Sequence, residues 1–119
     1  MNMLRLNPLV AEGTSVRLMR ESLNKMGDKS PRMPSIVIDE VKINGVSVFH
    51  FRPEKVSCSG KIMLYLHGGG YVMGSSRSHR PLLEYLSSFF KASVYSIDYS
   101  LAPESPFPVA LNEVLGVYR

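Results

Sequence analysis

The chain is poor in the residues that would point to several common functions. Cys58 is its one cysteine among 119 residues, which excludes an internal disulfide and a cysteine-rich zinc site. No metal and no cofactor are expected. No window is apolar over the length of a bilayer crossing, so no integral membrane segment is expected. The opening run Met1–Val10 is interrupted by Arg5, Asn7 and Pro8, unlike the apolar core of a secretory signal. A lone thiol and no export signal fit a reducing compartment, and the cytoplasm is the expected location. A basic stripe is also missing: 14 Lys and Arg residues are interleaved with 10 Asp and Glu, for a net charge of +4. That distribution reads as a solvated surface and gives no support to a nucleic-acid partner. Hydrophobic content of 45% and charged content of 20% are ordinary for a globular protein, and the length allows one domain or part of one.

What is present centres on Lys61-Ile62-Met63-Leu64-Tyr65-Leu66-His67-Gly68-Gly69-Gly70-Tyr71. Ile62 to Leu66 is apolar on both faces and too short for a helix, the pattern of an interior strand. The glycines that follow carry no side chains, so the backbone can take positive φ and bring its N–H groups close to another molecule. Such groups bind phosphate or stabilise the oxyanion of acyl transfer. A Walker A loop needs a lysine that Tyr71-Val72-Met73-Gly74-Ser75 does not supply. Gly68-x-Gly70-x-x-Met73 lacks the third glycine of a dinucleotide fingerprint. A His-Gly-Gly-Gly run after a strand instead matches the oxyanion loop of lipases and esterases.

Around this stretch the chain reads as alternating elements. Leu9 to Met26 is loosely helical, stopped by Gly27 and Asp28, and fits a helix packed on the domain exterior better than one over a pocket mouth or on a membrane surface, because its apolar face is narrow. Lys29 to Ser35 is a linker held non-helical by Pro31 and Pro34. Ile36–Ile43 and Val46–Arg52 flank Asn44-Gly45, the dipeptide of a type I′ hairpin. In the second arm Phe49 and Phe51 face one side and Val48 and His50 the other. His50 lies mid-strand with no acid beside it, and Cys58 lies in a polar connection without a histidine partner; neither reads as catalytic. Ser76 to Lys91 reads as a helix capped by Ser76 or Ser78, with Pro81 in its first turn. Leu82, Leu83, Leu86, Phe89 and Phe90 form the apolar face that packs on the sheet. His79 reads as a capping or surface residue beside the glycine loop. Ala92 to Tyr99 is a further strand, parallel to Ile62–Leu66 through a β-α-β crossover, and a last helix begins at Pro108. The class is α/β.

His67-Gly68-Gly69-Gly70-Tyr71 is followed, after one helix and one strand, by Asp98-Tyr99-Ser100-Leu101-Ala102-Pro103-Glu104 and then Pro106-Phe107-Pro108. The two motifs in this order resemble the hormone-sensitive-lipase-like group of α/β-hydrolase esterases, over nearly the whole chain but under half of that fold. The resemblance implies a partial α/β-hydrolase fold, with residues 1–34 as a cap helix and linker and residues 35–119 as the N-terminal part of the hydrolase domain. It also implies a small-molecule carboxylic ester as substrate, cleaved through a serine acyl-enzyme. Gly69 and Gly70 then look like the oxyanion N–H donors, His67 and Gly68 like loop-shaping residues, Tyr71 and Val72 like pocket lining, and Asp98 and Glu104 like supports of the adjacent turn. Where the family usually carries arginine this chain has Ser100.

A larger departure concerns the nucleophile. The family's serine sits in Gly-x-Ser-x-Gly, on a tight strand-to-helix elbow. The near-match Gly45-Val46-Ser47-Val48-Phe49 lacks the closing glycine and lies in a strand. The triad's acid and histidine normally follow the serine, so none of the three is assigned here. The expectation is an N-terminal esterase portion that is inactive alone, the alternative being a non-catalytic small-ligand binding or interaction protein on the same fold. The family's strand order would leave Ile62–Leu66 as an exposed apolar edge, open to self-association.

Overall fold

The computed structural model describes residues 14–55 and 60–119. Its elements are α1 (Thr14–Lys29), β1 (Ile36–Ile43), β2 (Val46–Pro53), β3 (Ile62–Leu66), α2 (Arg80–Phe90), β4 (Ser93–Asp98) and α3 (Val109–Tyr118). Cys58 and the expected helical residues 9–13 lie outside the described residues. Asn44 (φ 52°) and Gly45 (φ 79°) are both left-handed, as a type I′ turn requires, and they set β1 against β2 from Ile36↔Pro53 to Ile43↔Val46. The β2 strand pairs antiparallel with β4, and β4 pairs in parallel with β3, giving the order β1-β2-β4-β3. This mixed sheet has the strand-and-crossover arrangement that the resemblance to α/β-hydrolases implies.

Strand alternation divides the sheet into two cores. Ile36, Phe51 and Val94 pack with Leu83 of α2 on one face; Val46, Val48 and Ile97 pack with Ala110 of α3 on the other. Phe51, Leu83, Ile97, Val48 and Val94 are fully buried, each contributing about 1.5–3 kcal/mol. Helix, sheet and helix thus form three layers.

Several sequence expectations change. The β3 strand is not the interior strand its apolar pattern suggests but the exposed edge that the family's strand order implies: it pairs only with β4 among the described residues, and Ile62, Leu64 and Leu66 are 73%, 40% and 48% exposed. An apolar strand pattern records that both faces demand cover, whereas cover depends on which neighbours the chain brings. Gly27 does not end α1, which runs on to Lys29. A Cβ there would lie 2.2 Å from the Arg77 carbonyl oxygen, so Gly27 serves close approach of helix and loop. The second helix starts at Arg80, with Pro81 in its first turn and no side-chain cap from His79. Ser76 and Ser78 are engaged in the preceding turns. The face of α2 that meets the sheet is also rotated from the expected one. Leu83 and Ser87 are buried with Arg80 and Glu84, while Leu82, Phe89 and Phe90 are exposed. Burial of the charges is possible because Arg80 pairs with Glu84 and donates to the Gly27 and Ser30 carbonyls, while Glu84 also accepts the Met33 N–H at 2.6 Å.

Candidate active site: the glycine loop at the end of β3

After Leu66 the chain leaves the sheet through a loop whose backbone only glycine makes easy. Gly69 has φ 133° and Gly70 64°, and Tyr71, at 62°, continues in the left-handed region despite its side chain. The Gly69 carbonyl accepts the N–H groups of Val72 and Met73 at 3.2 and 3.1 Å, so the loop coils tightly. A Cβ on Gly69 would sit 1.9 Å from the Met73 carbonyl oxygen, whereas Gly68 and Gly70 border open space. Neither the Gly69 nor the Gly70 N–H bonds to another described residue. Both residues line a hollow of about 300 Å³ between this loop, Tyr99 and the Leu111–Val114 side of α3. A hollow of about 430 Å³ near Pro34, Pro53 and Lys91 assembles no catalytic grouping.

His67 is 3% exposed and lies flat on Tyr99, with ring centroids 4.3 Å apart. The Tyr99 hydroxyl donates to the His67 carbonyl at 2.6 Å. Its own pKa is pushed up by burial, so it remains a donor. His67 Nδ1 lies 3.0 Å from the Gly68 carbonyl, which can only accept, so the proton is on Nδ1. Burial also holds the imidazole below its ordinary pKa, against the opposing pull of the Gly68 carbonyl and Asp98. Nε2 is buried without a partner among the described residues. Among the described residues no serine hydroxyl or carboxylate hydrogen-bonds to this ring, so neither partner of a triad meets it there.

Asp98, at the end of β4, accepts the Ser76 N–H at 2.8 Å and the Ser76 hydroxyl at 2.6 Å, and Ser76 Oγ lies 2.7 Å from Ser96 Oγ. This pins the turn after the glycine loop to the sheet. Gly74 makes the approach possible, since a Cβ there would lie 2.3 Å from the Gly68 carbonyl oxygen and 2.6 Å from His67 Nδ1. Ser76 is 2% exposed, which keeps electrophiles from its hydroxyl. Ser78 Oγ lies 3.0 Å from His79 Nδ1, but the Ser78 hydroxyl donates to the Ser75 carbonyl, and His79 Nδ1 also lies against that carbonyl. The serine proton is therefore not directed at the ring, and the pair is not a nucleophile and base.

Tyr71 lines the hollow; Val72 does not border it, and its carbonyl accepts from Arg20 of α1. Glu104, largely exposed, is held below the usual carboxylate range by its hydrogen bond from Arg20. Ser100 donates its N–H and hydroxyl to Glu113 at 2.6 and 2.7 Å, so that carboxylate is satisfied without a cation at position 100. Three residues here escaped sequence reasoning. Gly74 carried a signal, as a further glycine close behind the loop; Ser76 read as a helix cap; Arg20 was one of several charges on a helix, with nothing to mark it.

A family model of the alpha/beta hydrolase fold matches residues 63–119. Hormone-sensitive lipase of Homo sapiens is 39% identical over 105 residues, covering 87% of this chain and 9% of that protein. An esterase of Acinetobacter venetianus is 30% identical over 104 residues, covering 85% of this chain and 33% of that one. The crystal structure of an esterase from the bacterial hormone-sensitive lipase family superposes with a TM-score of 0.77 at 34% identity, over 84% of this chain and 33% of the other. The chain thus spans about a tenth of the human relative and a third of the bacterial ones. Sequence and structure agree with the loop, sheet and turn described above: the chain belongs to the hormone-sensitive-lipase-like α/β-hydrolases.

Proposed function

We propose that this chain carries the oxyanion-binding part of a serine carboxylesterase, with the Gly69 and Gly70 N–H groups as the donors that receive the substrate's carbonyl oxygen. One observation carries the reading: both N–H groups are without a partner among the described residues, and both residues line the same hollow. A donor held where negative charge develops is worth about 2.7–4 kcal/mol of barrier, provided it is fixed in advance. Tight coiling around the Gly69 carbonyl supplies that fixation. His67 shapes the loop from beneath, and Asp98 and Glu104 hold the turns on either side of it.

The 119-residue chain by itself has no Gly-x-Ser-x-Gly nucleophile, so it binds tetrahedral oxyanions without forming an acyl-enzyme. Titration of the ¹⁵N-labelled chain with butylphosphonate tests the donors. Saturable shifts at the Gly69 and Gly70 amides are expected, and their absence would remove the proposal. A fluorophosphonate probe should leave every serine unlabelled. Specific labelling would refute the claim that no activated serine is present. We infer also that the exposed β3 edge drives self-association of the isolated chain, since unpaired backbone and apolar side chains coincide there.

A further inference from the structure

Helix α1 and the glycine loop meet at one guanidinium. Arg20 Nε donates to the Val72 carbonyl at 2.7 Å and Nη2 to the Ala102 carbonyl at 2.8 Å. Nη1 and Nη2 donate to the two Glu104 oxygens at 2.5 and 3.1 Å. These acceptors lie 52 to 84 positions along the chain from Arg20, on the glycine loop and on the turn after β4. The arginine side chain is 23% exposed and that of Glu104 62%, so the guanidinium is enclosed while its counter-charge stands in solvent.

The loop needs such a holder. Gly70 and Tyr71 are left-handed in succession, and at Tyr71 the side chain makes that conformation costly. From inside, the loop is closed by the bonds to the Gly69 carbonyl; from outside, the Ala102 N–H donates to the Tyr71 carbonyl at 2.8 Å. Arg20 takes the next carbonyl along the loop, that of Val72, together with the carbonyl of Ala102, whose own N–H holds Tyr71. Its planar fork of five donors suits acceptors spread around one plane, whereas a lysine ammonium at the end of a flexible stem does not reproduce that fork.

We propose that Arg20 is a positioning residue: by holding the Val72 and Ala102 carbonyls and the Glu104 carboxylate together, it fixes the glycine loop in the conformation that leaves the Gly69 and Gly70 N–H groups to a ligand. The inference rests on the reading of those two groups as oxyanion donors. It makes docking of α1 a condition of a competent loop. Arg20 touches no ligand itself and acts through the backbone it holds.

The experiment compares the 119-residue chain with Arg20→Gln, Arg20→Lys and Glu104→Gln. Amide exchange is read at Val72, Met73 and Ala102, with Val94 and Ile97 of β4 as internal standards, and each protein is titrated with butylphosphonate. Arg20→Gln and Arg20→Lys should speed exchange at the three loop-side amides by about tenfold or more, as expected for lost hydrogen bonds to a charged group, and leave β4 unchanged. The Gly69 and Gly70 resonances should broaden or move in the same variants, and phosphonate affinity should fall by about tenfold. Glu104→Gln should show a smaller effect of the same kind, which keeps the test open if an Arg20 variant fails to fold. Unchanged exchange in Arg20→Gln, or faster exchange spread equally over β4, would overturn the positioning role. If the parent chain shows no phosphonate response at Gly69 and Gly70, the oxyanion reading fails. The exchange pattern then still decides whether Arg20 orders the loop.

Discussion

Replacing Gly69 by alanine should destabilise the chain, whereas the same change one position earlier should not. At Gly69 the added Cβ would lie 1.9 Å from the Met73 carbonyl oxygen and 2.6 Å from the Met73 carbonyl carbon. These are backbone atoms, so relief requires the loop to open. The residue would also keep φ near 133°, which alanine rarely adopts. Backbone strain of about 1–3 kcal/mol and overpacking of similar size give a cost of about 2–6 kcal/mol. At Gly68 nothing lies within 4 Å of the new methyl and φ is outside the left-handed region, so Gly68→Ala should stay within about 0.5 kcal/mol of the parent. Urea denaturation followed by circular dichroism at low concentration reads the difference. With a slope of about 1–3 kcal/mol/M, the Gly69→Ala midpoint should fall by about 1 M or more with the slope unchanged. Equal midpoints for the two variants would refute the reasoning that the Gly69 backbone is sterically confined. Because the Gly68 methyl would border the hollow, Gly68→Ala should weaken phosphonate binding while leaving the midpoint in place.

Glu84→Ala should cost about 3–5 kcal/mol in the same assay, because it strands the buried Arg80 guanidinium and the Met33 N–H; a loss under 1 kcal/mol would show that the pair is not truly desolvated. Acidification should lower the melting temperature from about pH 6.5 downwards. The folded-state pKa values of His67 and His50 are depressed, chiefly by burial, below 6.5, so the unfolded chain takes up protons first. Their stabilisation is complete above pH 6.5 and is lost as pH falls through the folded-state values, and the double change His50→Gln and His67→Gln should flatten the profile below pH 6.5. Leu64→Lys, placing a charge on the 40% exposed face of β3, should shift the sedimentation profile towards monomer; an unchanged profile would place the association elsewhere.

The hairpin, the β-α-β unit and the glycine loop were legible because each is set by short-range chemistry. Asn44-Gly45 specifies its turn through backbone conformation, and period-2 alternation separates Val48 from Phe49 onto the two cores found in the structure. What was not legible depends on residues distant in sequence. Ser76 has the composition of a helix cap, yet Asp98, 22 positions away, takes both its N–H and its hydroxyl. Arg20 is indistinguishable on the helix surface from Arg17 until the glycine loop and the Ala102 turn arrive beside it. On α2, periodicity marks Leu82, Leu83, Leu86, Phe89 and Phe90 as an apolar face; of these Leu83 and Leu86 meet the sheet, which buries Glu84 and Ser87 beside them and leaves Leu82, Phe89 and Phe90 exposed. A period identifies which side chains share a side of a helix; it does not say which side a partner will cover.

The two ways in which this chain is held together differ in kind, and the site lies between them. The sheet and its two helices are joined by buried apolar side chains, whose stabilisation salt and pH affect little. Helix α1 contributes Val16 to the buried set and is also attached by polar contacts: Arg20 to the loop and Glu104, Ser75 to Asn24 at 2.6 Å, Arg77 to Asp28, and Arg80 to the Gly27 carbonyl. The two ion pairs among them, Arg20 with Glu104 and Arg77 with Asp28, each have a well-exposed carboxylate and contribute about 0–1 kcal/mol. The glycine loop takes support from both sides: Asp98 ties the turn that follows it to β4, and Arg20 ties Val72 to α1. Its downstream turn is thus tied to the sheet, whereas the Gly69–Val72 segment is held by its own turn around the Gly69 carbonyl, by the Ala102 N–H on the Tyr71 carbonyl and, through Val72, by α1.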